Sequence, residues 1–113
     1  MYCDAWNVRD GRERRELLER CWAPDGVYCD PTVVVDGLDA VVAHIGGFHE
    51  RMPGHRIIRT SEVAEHHGWL HFSWRMIGPG GATDLDGFDV GERGEDGRLK
   101  RIVGFFAPPV PLP

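Results

Sequence analysis

Trp69-Leu-His-Phe-Ser-Trp-Arg-Met-Ile77, then Gly78-Pro-Gly-Gly81, then Ala82-Thr-Asp-Leu-Asp-Gly-Phe-Asp-Val-Gly-Glu92 spell a strand, a turn and a second strand. The first run places Leu70, Phe72, Trp74 and Met76 on one face by period-2 alternation. The glycine-proline cluster can only turn the chain. In the second run, Ala82, Asp84, Asp86, Phe88 and Val90 share one face, opposite Thr83, Leu85, Gly87 and Asp89. Working outward, Arg56 to Glu65 reads as a strand ending near His66-His67-Gly68, and Leu99 to Ala107 as a strand entered from Gly94-Glu-Asp-Gly97. Short polar connections favour antiparallel neighbours, because a parallel crossover needs a dozen or more residues.

Asp86 is the odd member. It shares a face with Phe88 and Val90, which would normally be the buried one. A carboxyl group in such a setting is costly unless paired, hydrogen-bonded or protonated, so Asp86 is the first candidate for function.

The remaining chain supplies helices. Arg9 to Arg20 is helical by pattern, with Leu17, Leu18, Cys21 and Trp22 on one side and Glu13, Arg14, Glu16 and Arg20 toward water. Ala23-Pro-Asp-Gly26 closes it, and Val27 to Asp30 and Thr32 to Asp36 are short extended pieces. A further helix spans Leu38 to Glu50, buried along Leu38, Val41, Val42, Ile45 and Phe48. Tyr2 and Trp6, four apart, would share a helix face at the start. Pro108 to Pro113 reads as an extended proline-rich tail. The expected architecture is α+β, with helices on one face of a curled antiparallel sheet. The leftover sheet surface is expected to be covered by a second subunit or left as a pocket, and a homodimer is expected.

Composition narrows the function classes. The 113 residues suffice for one domain, with 42% hydrophobic and 27% charged residues. A net charge of −5 leaves no basic field for nucleic acid or an anionic membrane. Three cysteines without C-x-x-C spacing suggest neither a disulfide framework nor a zinc site, and imply a cytoplasmic setting. No signal segment or run of 18 apolar residues is seen. The histidines lack H-x-x-x-H spacing on one helix, so no metal site is expected. His44 is the histidine best placed to look into a cavity; His71 lies opposite Phe72, and His49, His55, His66 and His67 read as surface or loop residues.

Several strings then carry a resemblance: Tyr2-x3-Trp6-Asn7-x2-Asp10, Trp22-Ala-Pro-Asp25-x2-Tyr28-x-Asp30-Pro31, Gly37-x2-Ala40, Asp86-Gly-Phe88 and Gly97-Arg-Leu99-x2-Ile102. Together they resemble the nuclear transport factor 2-like superfamily, in its SnoaL-like and ketosteroid isomerase-like branches. The resemblance implies a cone-shaped domain over 1–108, with residues 109–113 as tail. About three helices, the first truncated, would pack on a strongly curved, mainly antiparallel sheet, a cystatin-like roll. It also implies a cofactor-free pocket for a hydrophobic carbonyl compound, and enolisation chemistry of the isomerase or cyclase kind. Carried over from ketosteroid isomerase, Tyr2 falls on the oxyanion-hole tyrosine, Asp30 on the general base, and Asp86 on the protonated carboxylic acid that donates a second hydrogen bond. His44 or His71 with Asp86 would imitate the acid-base pair of SnoaL-like cyclases. Trp6, Phe72, Trp74, Phe88 and Phe105 are the candidate ligand-binding aromatics. The alternative is a non-catalytic ligand-binding or dimeric assembly domain of the same fold, with Asp30 and Asp86 structural.

Overall fold

The computed structural model describes residues 1–107 and 109–113; Pro108, where the proline-rich tail was expected to begin, lies outside them. The described residues form three helices and seven strands: α1 (Tyr2–Ala5) and α2 (Gly11–Cys21) precede the first two strands, and α3 (Leu38–Arg51) separates these from the last five. The strands are β1 (Trp22–Asp30), β2 (Val33–Asp36), β3 (Arg56–Arg59), β4 (Ala64–His66), β5 (Trp69–Ile77), β6 (Thr83–Arg93) and β7 (Leu99–Phe106).

Local chemistry sets the boundaries. Asp10 caps α2 by accepting hydrogen bonds from the backbone N–H groups of Arg12 and Glu13 at 2.8 and 3.2 Å. Gly37, at φ 89°, admits the chain to α3 through a conformation closed to most side chains. On α3, Val41 and Ile45 pack with Leu18 of α2 and Trp22, Tyr28, Leu70, Phe72 and Ile102 of the sheet, while the buried Phe48 meets the Trp6 ring edge-on at 5.5 Å. Arg14, expected toward water, is buried instead. Its guanidinium donates to the carbonyls of Val8, Arg9 and Val42, which supply the acceptors that water would otherwise provide.

The sheet runs β2-β1-β7-β6-β5-β3, with β4 also pairing β5. Three of the expectations are corrected here. The sheet is an open, mixed one rather than a strongly curved antiparallel roll: β1 and β7 pair in parallel, and the order ends at β2 and β3. Loop lengths report only hairpins, whereas the β1–β7 ladder joins segments about seventy-five residues apart and leaves no local trace. The single strand expected over Arg56 to Glu65 is two, because the Ser61 hydroxyl interrupts the ladder by accepting the Ser73 N–H at 2.8 Å.

The third correction concerns β6. Its buried face is Leu85, Gly87, Asp89 and Gly91, not Asp84, Asp86, Phe88 and Val90. The space over the two glycines is filled from neighbouring strands. A Cβ on Gly87 would lie 2.3 Å from the Trp74 ring, and one on Gly91 would lie 2.8 Å from Ile102 Cδ1. Phe88 faces outward and stacks on Phe105 of β7 at 4.9 Å.

Candidate functional site

Between α1, α3 and the inward face of the sheet lies a cavity of about 270 Å³. Its wall is mainly apolar, with Trp6, Phe48, Phe72, Trp74, Met76, Leu85 and Phe106 contributing rings and chains. Two acids reach it, Asp30 from the end of β1 and Asp89 from the middle of β6, together with Tyr2, Tyr28, His44 and Arg51.

Asp30 is fixed by its own turn. Pro31 and Thr32 form the two-residue connection to β2, and the Asp30 Oδ1 accepts both the Thr32 N–H (2.7 Å) and the Thr32 hydroxyl (2.6 Å). Two residues back on the same strand face, the Tyr28 hydroxyl donates to Oδ2 at 2.7 Å. Burial pushes the Asp30 carboxyl upward, but these three donors, helped by His44, outweigh it and hold the carboxyl below its usual range. Tyr28 moves the opposite way, raised by burial and by its bond to Asp30.

Asp89 is the contrasting case. It is 6% exposed, and its one protein partner among the described residues is the Trp74 indole N–H, donating to Oδ1 at 2.9 Å. Burial raises its carboxyl to about 7; the Trp74 bond opposes this, and the nearby Asp30 charge adds to it. Gly104, opposite Asp89 in the β6–β7 ladder, keeps the approach open: a Cβ there would sit 3.0 Å from Asp89 Oδ1 and 3.6 Å from Asp30 Cβ.

Tyr2 completes the polar set. Its ring stacks on Trp22 at 5.6 Å, and its hydroxyl is buried without a hydrogen-bond partner of proper geometry. Burial first, and then the Asp89 charge, lift it well above the ordinary tyrosine range, so it stays a donor. His44 packs against Tyr28 and Trp6 and is lowered by burial, with Arg51 adding to the effect and Asp30 opposing it. His49, expected at the surface, ties α3 to α1 through Nε2 and the Trp6 carbonyl at 2.8 Å.

Of the residues singled out in the sequence, Asp30, Tyr2, His44, Trp6, Phe72 and Trp74 meet at this cavity. Asp86, Phe88 and Phe105 do not. Asp86 points outward and pairs with Arg75 at 2.7 Å, so it is neither apolar in its surroundings nor unpartnered. Asp89, Tyr28, Thr32, Arg51 and Phe106 were missed. Strand parity was the available signal: Tyr28 lies two residues before Asp30, and Asp89 shares a face with Leu85. Among the described residues, no three His, Cys, Asp or Glu side chains are grouped to hold a metal ion. No helix of the described residues is long and apolar enough to cross a membrane.

An α+β domain whose helices enclose, against one face of a mixed sheet, an apolar pocket holding two unlike carboxyl groups defines the class. Residues 1–102 match the SnoaL-like domain, and the chain belongs to that family. Among solved structures, it is similar to a protein of Agrobacterium tumefaciens provisionally described as an isomerase of the SnoaL-like family. The two are 33% identical, with a TM-score of 0.90 over 95% of this chain and 92% of that one. More distantly, it shares its fold with two proteins provisionally described as polyketide cyclases. The one from Jannaschia sp. is 16% identical, with a TM-score of 0.73 over 94% of this chain and 86% of that one. The one from Sinorhizobium meliloti is 18% identical, with a TM-score of 0.71 over 91% and 88%. No curated protein sequence matches the chain.

Proposed function

We propose that the pocket binds an apolar carbonyl compound and catalyses its enolisation, as an isomerase or cyclase would. The observation that carries this reading is the pair of carboxyl groups on one cavity with opposite shifts, Asp30 held ionised and Asp89 raised to about 7. A group titrating near neutrality is suited to both taking and returning a proton. Asp30, with three donors on its oxygens, is the weaker base, so proton transfer is assigned to Asp89.

In the proposed step, the Asp89 carboxylate removes the proton α to the carbonyl. The C–H electron pair becomes the enolate double bond, and the carbonyl oxygen takes the negative charge. The Tyr2 hydroxyl, a buried donor lacking a protein acceptor, receives that oxygen. Asp89 then returns the proton to the same carbon or a conjugated one. Asp30 orients Tyr28 and sustains the raised state of Asp89. The likeness to the Agrobacterium protein agrees with this class of reaction.

The test is α-deuteration of 2-tetralone in D2O, followed by NMR. Exchange above the buffer rate is expected, rising as pH approaches 7, with losses of about 100-fold or more in Asp89→Asn and about 100-fold in Tyr2→Phe. If tetralone binds without faster exchange, the domain is a binding module and the enolisation reading is lost. The expected homodimer would use the outward sheet face, where Phe105 is 45% exposed beside Phe88. Sedimentation should then show a dimer that Phe105→Glu dissociates; a parent chain monomeric at tens of micromolar would refute it.

A further inference from the structure

Arg51 is the charged group of the pocket wall that enolisation does not use. It is the last residue of α3, and its exposed side chain lies at the cavity. The guanidinium is laid back along its own helix over Gly47, where a Cβ would come within 2.8 Å of Nη1. Glycine in the middle of a helix is less stable than alanine, and here it opens the path by which Arg51 reaches the pocket. One further turn back stands His44, whose titration is depressed chiefly by burial, lifted by Asp30 and lowered a little further by the Arg51 charge. One wall of the cavity is therefore polar, running from Asp30 past His44 to Arg51, and faces the apolar Phe72, Trp74 and Leu85.

Among the described residues, Arg12, Arg15, Arg75, Arg93, Arg98 and Arg101 each lie against a carboxylate. Arg51 does not, and unlike Arg9, Arg20, Arg56 and Arg59, which share that lack, it is the arginine that lines this cavity. A guanidinium beside an apolar cavity, left without a protein anion, is complementary to a planar anion brought by the ligand. With Asp30 ionised in the same wall, a single negative charge is favoured over a phosphate dianion.

We propose that the ligand of this pocket is a keto acid: an apolar carbonyl compound bearing a carboxylate, which Arg51 selects at the cavity mouth. The proposal rests on the small-molecule pocket of the preceding subsection, and adds the charge of its occupant. Arg51 is a specificity residue, distant in role from the proton transfer at Asp89.

The test is calorimetric titration with 6-acetyl-2-naphthoic acid and its methyl ester, which share ring and ketone and differ in charge. At low salt the acid should bind about tenfold more tightly than the ester. Added salt should narrow the gap. Arg51→Gln should abolish the preference, and Arg51→Lys should keep part of it. Equal or weaker binding of the acid, or a preference that survives in Arg51→Gln, overturns the assignment to Arg51 while leaving the pocket reading intact. Failure of both compounds to bind the unaltered protein overturns the pocket reading, and this proposal with it.

Discussion

Replacing Asp89 by Asn should make the protein more stable, and only above a defined pH. The folded chain holds the Asp89 carboxyl at about 7 against an ordinary 3.8, chiefly through burial. Between these values the folded state binds a proton that the unfolded state has released, so stability falls as pH rises. The favourable contribution is complete below about 3.8 and gone once pH passes about 7. A shift of roughly three units at 1.36 kcal/mol each makes the loss about 4 kcal/mol. That is a large share of the 5–15 kcal/mol typical of a domain. Asn keeps an oxygen to accept the Trp74 indole N–H while removing the ionisation. Urea unfolding of parent and Asp89→Asn from pH 4 to pH 8 should give near-equal stabilities at the acid end. The variant should lead by a few kcal/mol at pH 8, and the other titrating groups cancel in the difference. Parallel pH profiles would refute the reasoning, because Asp89 would then be solvated or paired in the folded state.

Two further outcomes follow from the same strand. Gly87→Ala places a methyl group inside the Trp74 ring and 2.5 Å from the Phe105 carbonyl oxygen, so a loss of about 1–3 kcal/mol and altered tryptophan fluorescence are expected; an unchanged unfolding midpoint would refute the packing argument. Asp86→Asn removes a half-exposed ion pair with Arg75, so denaturant unfolding should show a loss of at most about 1 kcal/mol. Tetralone binding and exchange should be unchanged, and a large effect on either would return Asp86 to the pocket.

The two halves of the 69–92 hairpin show what a sequence can disclose. In β5 the inward residues are large and apolar, so Leu70, Phe72 and Trp74 declared their face by alternation. In β6 the relation inverts. The inward positions Gly87 and Gly91 are small because side chains of adjoining strands occupy their volume, while Phe88 and Val90 lie outside. A strand read in isolation assigns the bulky residues to the core, and so Asp86 was chosen and Asp89 passed over. On β7 the cavity takes Phe106 rather than the expected Phe105. Asp30 was legible through the Asp30-Pro31 string that carries the family resemblance, whereas the donors that hold it ionised became visible only with the turn built. Arg14 shows a further limit: a charged residue in a charged run gives no sign that three carbonyls await it.

The parallel β1–β7 pairing also sets an order of events for the chain. β7 lies between β1 and β6 in space, yet it is the last strand in sequence. Until Leu99–Phe106 exists, the β1–β2 hairpin has no strand through which to join the β5–β6 half. The hairpin therefore waits on a contact spanning most of the chain, whose closure entropy must be met before the ladder returns anything. Synthesised from its first residue, the domain should hold two unjoined sheet fragments, and should fold cooperatively only after its last strand has left the ribosome.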